Sequence, residues 1–357
     1  MKTYQRYLLS PLYLFLPLML VALSGIYFLV EFFERLEDVL VARAPVSVFF
    51  LYLAYRLPEI LMQVWPPALG LAALASLAML SRGQELLALR TLGFSPSRIV
   101  APYLAAGFLL SLAVSGFLAL SLPGASYRAL YTWEVRIKGH RPQTVLSSGR
   151  LFFAGPDFLL SATPLEPRGE YLADFFYLKK GRTGPRAYLY ARKARYLKRN
   201  RWLLEEGIYA ERAGRFTPRV FRKKIFRIPF SPEVLLSVKQ PLKTLSLRAL
   251  RERYRFLRES GLSPAEPVSE ILFRLFYPLI GVLVLAPALA VFLSFRGKRA
   301  LAKGLSAGLA AVILTYAWFL GIKVLSAGGR IPPEIAYFLG LVLPAAFAIL
   351  VLKRYAY

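Results

Sequence analysis

Arg82-Gly83-Gln84-Glu85-Leu86-Leu87-Ala88-Leu89-Arg90-Thr91-Leu92-Gly93-Phe94-Ser95-Pro96-Ser97-Arg98 is a short charged stretch between two long apolar runs. Both runs are long enough to cross a bilayer, so the stretch between them stands at a membrane surface. Residues 84–92 are good helix formers, with Leu86, Leu89 and Leu92 roughly on one face and Glu85 on another. Gly93 is a natural C-terminal stop, and Ser95-Pro96 reads as the N-cap and first position of the next helix. The spacing predicts a small amphipathic surface helix over about 84–93, on which another protein can push.

The rest of the chain agrees with a membrane setting. It has 357 residues, 57% of them hydrophobic, and a mean hydropathy of +0.48. A net charge of +27 suits a protein whose surfaces meet anionic lipid headgroups or another polyanion. There are no cysteines, which excludes disulfides and thiolate metal sites. The single histidine, His140, lies among Gly139, Arg141 and Pro142. Alone it makes neither a metal site nor a triad, so neither a catalytic nor a metal-binding residue is assigned.

Six runs read as spans: 8–30, 46–80, 99–122, 268–295, 304–325 and 335–352. The first could be mistaken for a signal peptide, but it exceeds a usual h-region and ends in an acidic-aromatic stretch. Its helical pattern continues through 31–43, with Glu31, Glu34, Arg35, Glu37 and Asp38.

After Pro123 the character changes to polar, basic and rich in β-formers. Short runs at 143–147, 151–154, 157–162, 171–179, 186–197, 201–210 and 219–230 are separated by turn residues such as Gly155-Pro156, Gly184-Pro185 and Asn200. Many short strands at this spacing indicate a sandwich, barrel or jelly roll. Ser246 then caps a basic helix over 247–259. The domain reading is 1–123 with spans one to three and the surface helix, 124–265 with the β domain and its connecting helix, and 266–357 with spans four to six. The fold class is an α-helical membrane protein of six transmembrane helices (3+3), with an all-β jellyroll-like domain inserted between helices 3 and 4.

The N-terminus, the 82–98 segment, the 296–303 loop and the C-terminus are basic and alternate correctly to share one side. The positive-inside rule makes that side cytoplasmic, and the β domain extracytoplasmic. A nucleic-acid partner does not suit a basic domain outside the cytoplasm. No phosphate loop and no dinucleotide fingerprint is present. Carboxylates within the spans are few, which gives a proton relay little support. Glu59 and Lys323 are the notable intramembrane ionisable residues; each is a functional candidate or a side chain that snorkels from near an interface. Glu85 is either a solvated face residue or, with Leu86 and Leu89, part of a helix that docks in a groove on a cytoplasmic partner. Strand aromatics such as Phe153, Phe176 and Tyr188 are either core or the lining of an acyl-chain surface.

The order of three spans, a β domain and three spans, with a capped helix after span two, resembles the lipopolysaccharide-export permease family of the LptF/LptG (YjgP/YjgQ) type. Gln84 to Ser95 is similar to that family's coupling helix, and Glu270 through Arg274 to Pro278 is similar to the start of its fourth span. The resemblance covers essentially the whole chain. It implies an inner-membrane subunit of an ATP-driven lipid extractor, paired with a second permease. A separate LptB-like dimeric ATPase would supply ATP and magnesium, with no cofactor in this chain. Lipopolysaccharide or another anionic glycolipid would enter between spans one and five. It would then pass to periplasmic jellyroll proteins of the LptC/LptA kind. By resemblance Glu85, Leu86, Leu89, Arg90 and Gly93 are coupling residues. Arg35 would stand where relatives place basic headgroup ligands, although here it has acidic neighbours.

Two other classes compete. A secondary transporter calls for internal repeats and broken helices around a midplane site, and the 3+3 spans are not visibly repeated. A membrane-anchored, envelope-binding scaffold has no need of a capped helix between spans.

Overall fold

A chain segment in hydrocarbon must satisfy its own backbone polar groups, so each long apolar run folds as a helix. A computed structural model of the chain describes residues 3–138, 151–154, 158–165, 171–181, 184–198, 201–213, 215–227, 241–259, 263–297 and 299–354. In chain order it contains α1 (Thr3–Val41), α2 (Val46–Arg82), α3 (Glu85–Thr91) and α4 (Pro96–Tyr131), which runs on as a π-helical segment, Thr132–Ile137. Six strands follow: β1 (Leu151–Ala154), β2 (Phe158–Pro164), β3 (Tyr171–Gly181), β4 (Gly184–Lys198), β5 (Arg201–Ala213) and β6 (Arg215–Arg227). The chain then returns to helix with α5 (Leu247–Glu259), α6 (Ala265–Ser294), α7 (Ala300–Ala327) and α8 (Pro333–Arg354). Among the described residues six helices are long and apolar enough to cross a membrane: α1, α2, α4, α6, α7 and α8. The expected strand at 143–147 and His140 lie outside the described residues.

The chain divides into two units, each taken by itself. The first comprises residues 1–37, 53–126 and 268–357. At its centre are α2 and α6, the helices whose apolar windows are most buried. Leu69, Ala72, Ala73 and Leu77 of α2 pack with Val284, Leu285, Ala288 and Leu289 of α6. The small residues let backbones approach closely, as membrane packing requires.

Prolines Pro66 and Pro67 interrupt α2 in its middle. Each lacks the N–H that would bond four residues back, so the carbonyls of Met62 and Gln63 lose their helical donors. Two tyrosines replace them. The Tyr277 hydroxyl donates to the Met62 carbonyl at 2.9 Å, and the Tyr316 hydroxyl donates to the Gln63 carbonyl at 2.6 Å. One comes from α6 and the other from α7, so the break in α2 is sealed from two sides. Tyr277→Phe removes only an oxygen yet leaves a buried carbonyl bare. It should lower the unfolding free energy in micelles by about 1–3 kcal/mol. An unchanged unfolding curve would show that the carbonyl finds another donor.

α4 runs through Pro123 and leaves regular structure only after Ile137, although the composition turns polar at 123. The reason is a stripe of buried side chains at helical spacing, Leu122, Ser126, Ala129, Trp133 and Ile137. Pattern outweighs composition there.

The second unit comprises residues 38–52 and 127–267. Its strands pair in sequence order, β1 to β6, in one antiparallel sheet. In chain order the sheet falls between the third and fourth membrane helices, as expected. Side chains alternate across the sheet. Leu160, Phe175, Leu189, Ala191, Trp202 and Leu204 are buried together with Phe256 and Leu257 of α5. Ser246 begins that helix as expected, its hydroxyl accepting from the Ala249 N–H at 3.2 Å.

Register between β2 and β3 shifts between Ser161 and Thr163, across from Asp174 and Phe175. The β3–β4 and β4–β5 ladders keep their register nearby while skipping single pairs: Ala173 pairs with Lys193 and Phe175 with Ala191, and Lys193 pairs with Glu205 and Ala191 with Gly207. Asp174 and Glu206 both take positive φ, 48° and 52°. An irregularity of the β2–β3 kind bends a strand and re-aims side chains. Next to Glu206, a side chain on Gly207 would run into the Tyr190 carbonyl, so glycine is needed there.

Candidate functional site

The surface helix forms, as a unit with a left-handed residue on either side. Gln84 has φ 62° and Gly93 has φ 81°. At Gly93 only glycine adopts this conformation without strain. Its N–H bonds the Arg90 carbonyl at 3.0 Å, and the Phe94 N–H bonds the Leu89 carbonyl at 3.0 Å. α4 then starts at Pro96, with the Ser95 carbonyl accepting from Arg98 and Ile99.

The two faces of α3 differ in kind. Leu86 is buried, and Leu89 packs beside it against the core of the helical unit. Leu87 and Leu92 are 60% and 74% exposed. Leu92 thus turns away from Leu86 and Leu89, because the helix ends at Thr91 and the chain unwinds before Gly93. Phe94 meets Tyr4 edge-on, with ring centroids 5.3 Å apart. Glu85 occupies the first turn, where a carboxylate suits the helix dipole, and the Tyr7 hydroxyl donates to it.

Arg90 provides the firmest attachment. Its Nη2 donates to the Leu293 carbonyl at 2.8 Å. That carbonyl belongs to the last turn of α6, where helix carbonyls lack internal donors and cations are favoured. The Arg90 Nε is buried with no partner. Burial, and then the neighbouring Arg296 guanidinium, lower the Arg90 pKa from its ordinary value. Beside Arg90 opens a cavity of about 720 Å³, lined by α3, by Phe94, and by Phe292, Phe295 and Arg296 at the end of α6.

A second group of polar side chains lies near the start of α6. Glu270 is buried. It binds Arg274 Nε at 2.9 Å and Lys323 Nζ at 3.1 Å. Lys323 also lies over the Phe273 ring, 3.6 Å from its centroid. Beside this group the Ser326 hydroxyl donates to Ser269 at 2.5 Å. A third group joins α1 and α2. Arg56 binds Glu31 at 3.1 Å and also pairs with Glu59. Arg35 adds a 3.6 Å contact to Glu31. Lys323 and Glu59 therefore each have a named partner, Glu270 and Arg56, where the sequence offered a snorkelling reading.

The strand residues separate. Phe176 pairs with Ser161 and Tyr190, and Tyr188 with Leu178 and Ala210. By alternation both lie on the sheet face opposite Phe175 and Leu189, and both are half-buried. Phe153 pairs with Leu160 in β1; its side chain lies outside the described residues. Among the described residues no group of histidine, aspartate and glutamate could hold a metal ion.

The family model for the lipopolysaccharide export system permease LptF/LptG matches residues 6–354, nearly the whole chain. The chain belongs to the LptF/LptG family. No curated protein matches it. As an LptF/LptG member it is a multi-pass membrane protein and a permease of lipopolysaccharide export. In this LptF/LptG chain the sequence reading passed over Leu87, placed Leu92 on the face of Leu86 and Leu89, and noted Arg296 only as part of the basic 296–303 loop. Helical spacing grouped Leu92 with Leu86 and Leu89, and the Arg90–Leu293 contact joins residues too far apart in sequence for any local pattern to show.

Proposed function

We propose that this chain is the permease subunit of an ATP-driven lipopolysaccharide exporter, and that α3 is where force enters it. ATP and magnesium belong to a separate cytoplasmic ATPase dimer of the LptB kind, which docks on the outward face of α3. A second LptF/LptG permease completes the membrane pair. Lipopolysaccharide, or a related anionic glycolipid, is drawn from the outer leaflet of the inner membrane. The β domain, on the periplasmic side, passes it to LptC/LptA-like jellyroll proteins on the way to the outer membrane. The basic N-terminus, 82–98 segment, 296–303 loop and C-terminus support a cytoplasmic placing of both termini.

One observation carries the coupling role: α3 is fastened to the membrane helices on one face and open on the other. Leu86, Leu89 and the Arg90–Leu293 hydrogen bond hold it to the helical core, so a push on the helix reaches α6. Gly93 sets the turn that returns the chain to α4, and Glu85 holds the first turn. Arg35 and the half-open sheet face with Phe176 and Tyr188, together with Phe153, are the proposed lipid contacts.

The outward residues allow a test that spares the fold. Leu87→Asp should leave insertion and thermal unfolding unchanged while reducing copurification of the ATPase at least about tenfold, because docking would then bury an unpaired carboxylate. Leu89→Asp, by contrast, should both destabilise the chain and uncouple ATP hydrolysis from lipid release. Wild-type ATPase recovery and coupled transport with Leu87→Asp would overturn docking on this face. Failure of the wild-type chain to hold any nucleotide-binding subunit in mild detergent would overturn the ATP-driven reading.

A further inference from the structure

α5 sorts its side chains by face. Leu250, Phe256 and Leu257 are buried, the last two together with Phe175 and Trp202 of the sheet. Among the described side chains of α5, the exposed ones are Leu247 and four arginines, Arg248, Arg251, Arg255 and Arg258. At this spacing the four share one side of the helix, in a row about 15 Å long. One carboxylate, the half-buried Glu252, meets Arg248 at 3.4 Å, a solvated pair of small worth. The Arg258 Nη1 donates to the Tyr254 hydroxyl at 3.2 Å. The row thus keeps a positive surplus. The apolar face of α5 is already spent on the sheet, so the arginines are what the helix offers to a partner.

The chain itself sets the depth of the row. α6 follows α5 after residues 260–264, and Arg253 of α5 binds Glu266, in the first turn of α6, at 3.4 Å. Along α6, residues 275–295 carry no charge and are bounded by Arg274 and Arg296; hydrocarbon requires a run of about 20 such residues. From Arg274 back to Glu266 the helix rises about 12 Å, while a headgroup layer is about 5–8 Å thick. α5 therefore lies just outside the headgroups, where their charge still acts over a Debye length of about 8 Å. Guanidinium forks match phosphate oxygens two at a time, and basic residues beside a membrane helix are drawn to anionic lipid.

We propose that the arginine row of α5 docks on the anionic phospholipid surface of the bilayer, on the side that bears the β domain. The contact is electrostatic and shallow, and no residue of the row enters hydrocarbon. It is separate from the sheet face that carries Phe176 and Tyr188.

The chain has no cysteine, so Leu247→Cys in the full-length protein places a single dye at the end of the row. In nanodiscs carrying a trace of neutral lipid with an acceptor on its headgroup, energy transfer reports how close α5 lies to the surface. Transfer should be higher in phosphatidylglycerol discs than in phosphatidylcholine discs, and the excess should vanish at high salt. Arg251→Gln with Arg255→Gln should shift the docking equilibrium roughly 25-fold towards release, about fivefold for each arginine. Arg219→Gln with Arg222→Gln removes the same charge from exposed positions of β6 and should leave the transfer unchanged. Equal transfer in the two kinds of disc, or an equal loss with the β6 pair, would overturn the proposal. So would a rise that appears only when a phosphorylated glycolipid is added to phosphatidylcholine discs, since the row would then be a cargo contact. These measurements involve neither the ATPase nor transport, so they stand or fall apart from the function proposed above.

Discussion

Glu270→Ala should lower the unfolding free energy of the helical unit by about 3–5 kcal/mol, the cost of removing one partner from a buried ion pair. Glu270 is 4% exposed, and the two cations on it, Arg274 and Lys323, are largely buried as well. Removing the carboxylate leaves both in low dielectric with one anion fewer. Lys323 keeps the Phe273 ring, which offsets part of the loss. The double variant Glu270→Ala/Lys323→Met should therefore recover a share of what the single variant loses. Reversible unfolding in mixed micelles measures both. A loss under about 1 kcal/mol in the single variant would mean that water or lipid phosphate already screens the cluster.

Arg56→Ala should cost a comparable amount, by the opposite sign of stranded charge. Here one cation serves two carboxylates, and Glu31 and Glu59 are 5% and 3% exposed. Arg35 reaches only Glu31, and it is itself partly exposed. Without Arg56 two like charges share a desolvated site, so the expected loss is again about 3–5 kcal/mol. Arg56→Lys should rescue less than its charge suggests. A lysine ammonium lacks the planar fork that lets Arg56 hold Glu31 through Nη2 and Glu59 through Nη1 at once. Full rescue by lysine would show that charge alone matters at this site. The pairing also weakens Arg35 as a free headgroup ligand, since Glu31 already engages it.

These clusters mark the boundary of what sequence reading can reach. The spans were legible because hydropathy over some 20 residues is a local property. The surface helix and the Ser246 cap were legible for the same reason, since cap, stop and stripe all fall within one short window. Glu270 and Lys323 are far apart along the chain, and no local pattern predicts that α7 returns beside the first turns of α6. The strand aromatics failed differently. Phe175 and Phe176 are adjacent and chemically alike, and only the register across Ala191 and Tyr190 sends one inward and the other to the half-open face. The register shift between Ser161 and Thr163, across from Asp174, is one that strict alternation cannot anticipate. At Pro123 the reverse held: a composition change suggested a boundary, while buried side chains at helical spacing carried α4 on to Tyr131.

The paired prolines of α2 have a consequence for motion. In hydrocarbon, apolar side chains slide past one another at little cost, because lipid is as good a neighbour as leucine. Helices packed only by such contacts have no preferred register along their axes. The carbonyls of Met62 and Gln63 supply one, since each accepts from a single hydroxyl on a different helix. Translation of α6 or α7 along α2 by one turn would leave a bare carbonyl in lipid. Rotation about the same point need not. The prolines thus act as an axial stop, steering any movement of the bundle towards swivelling and away from piston strokes.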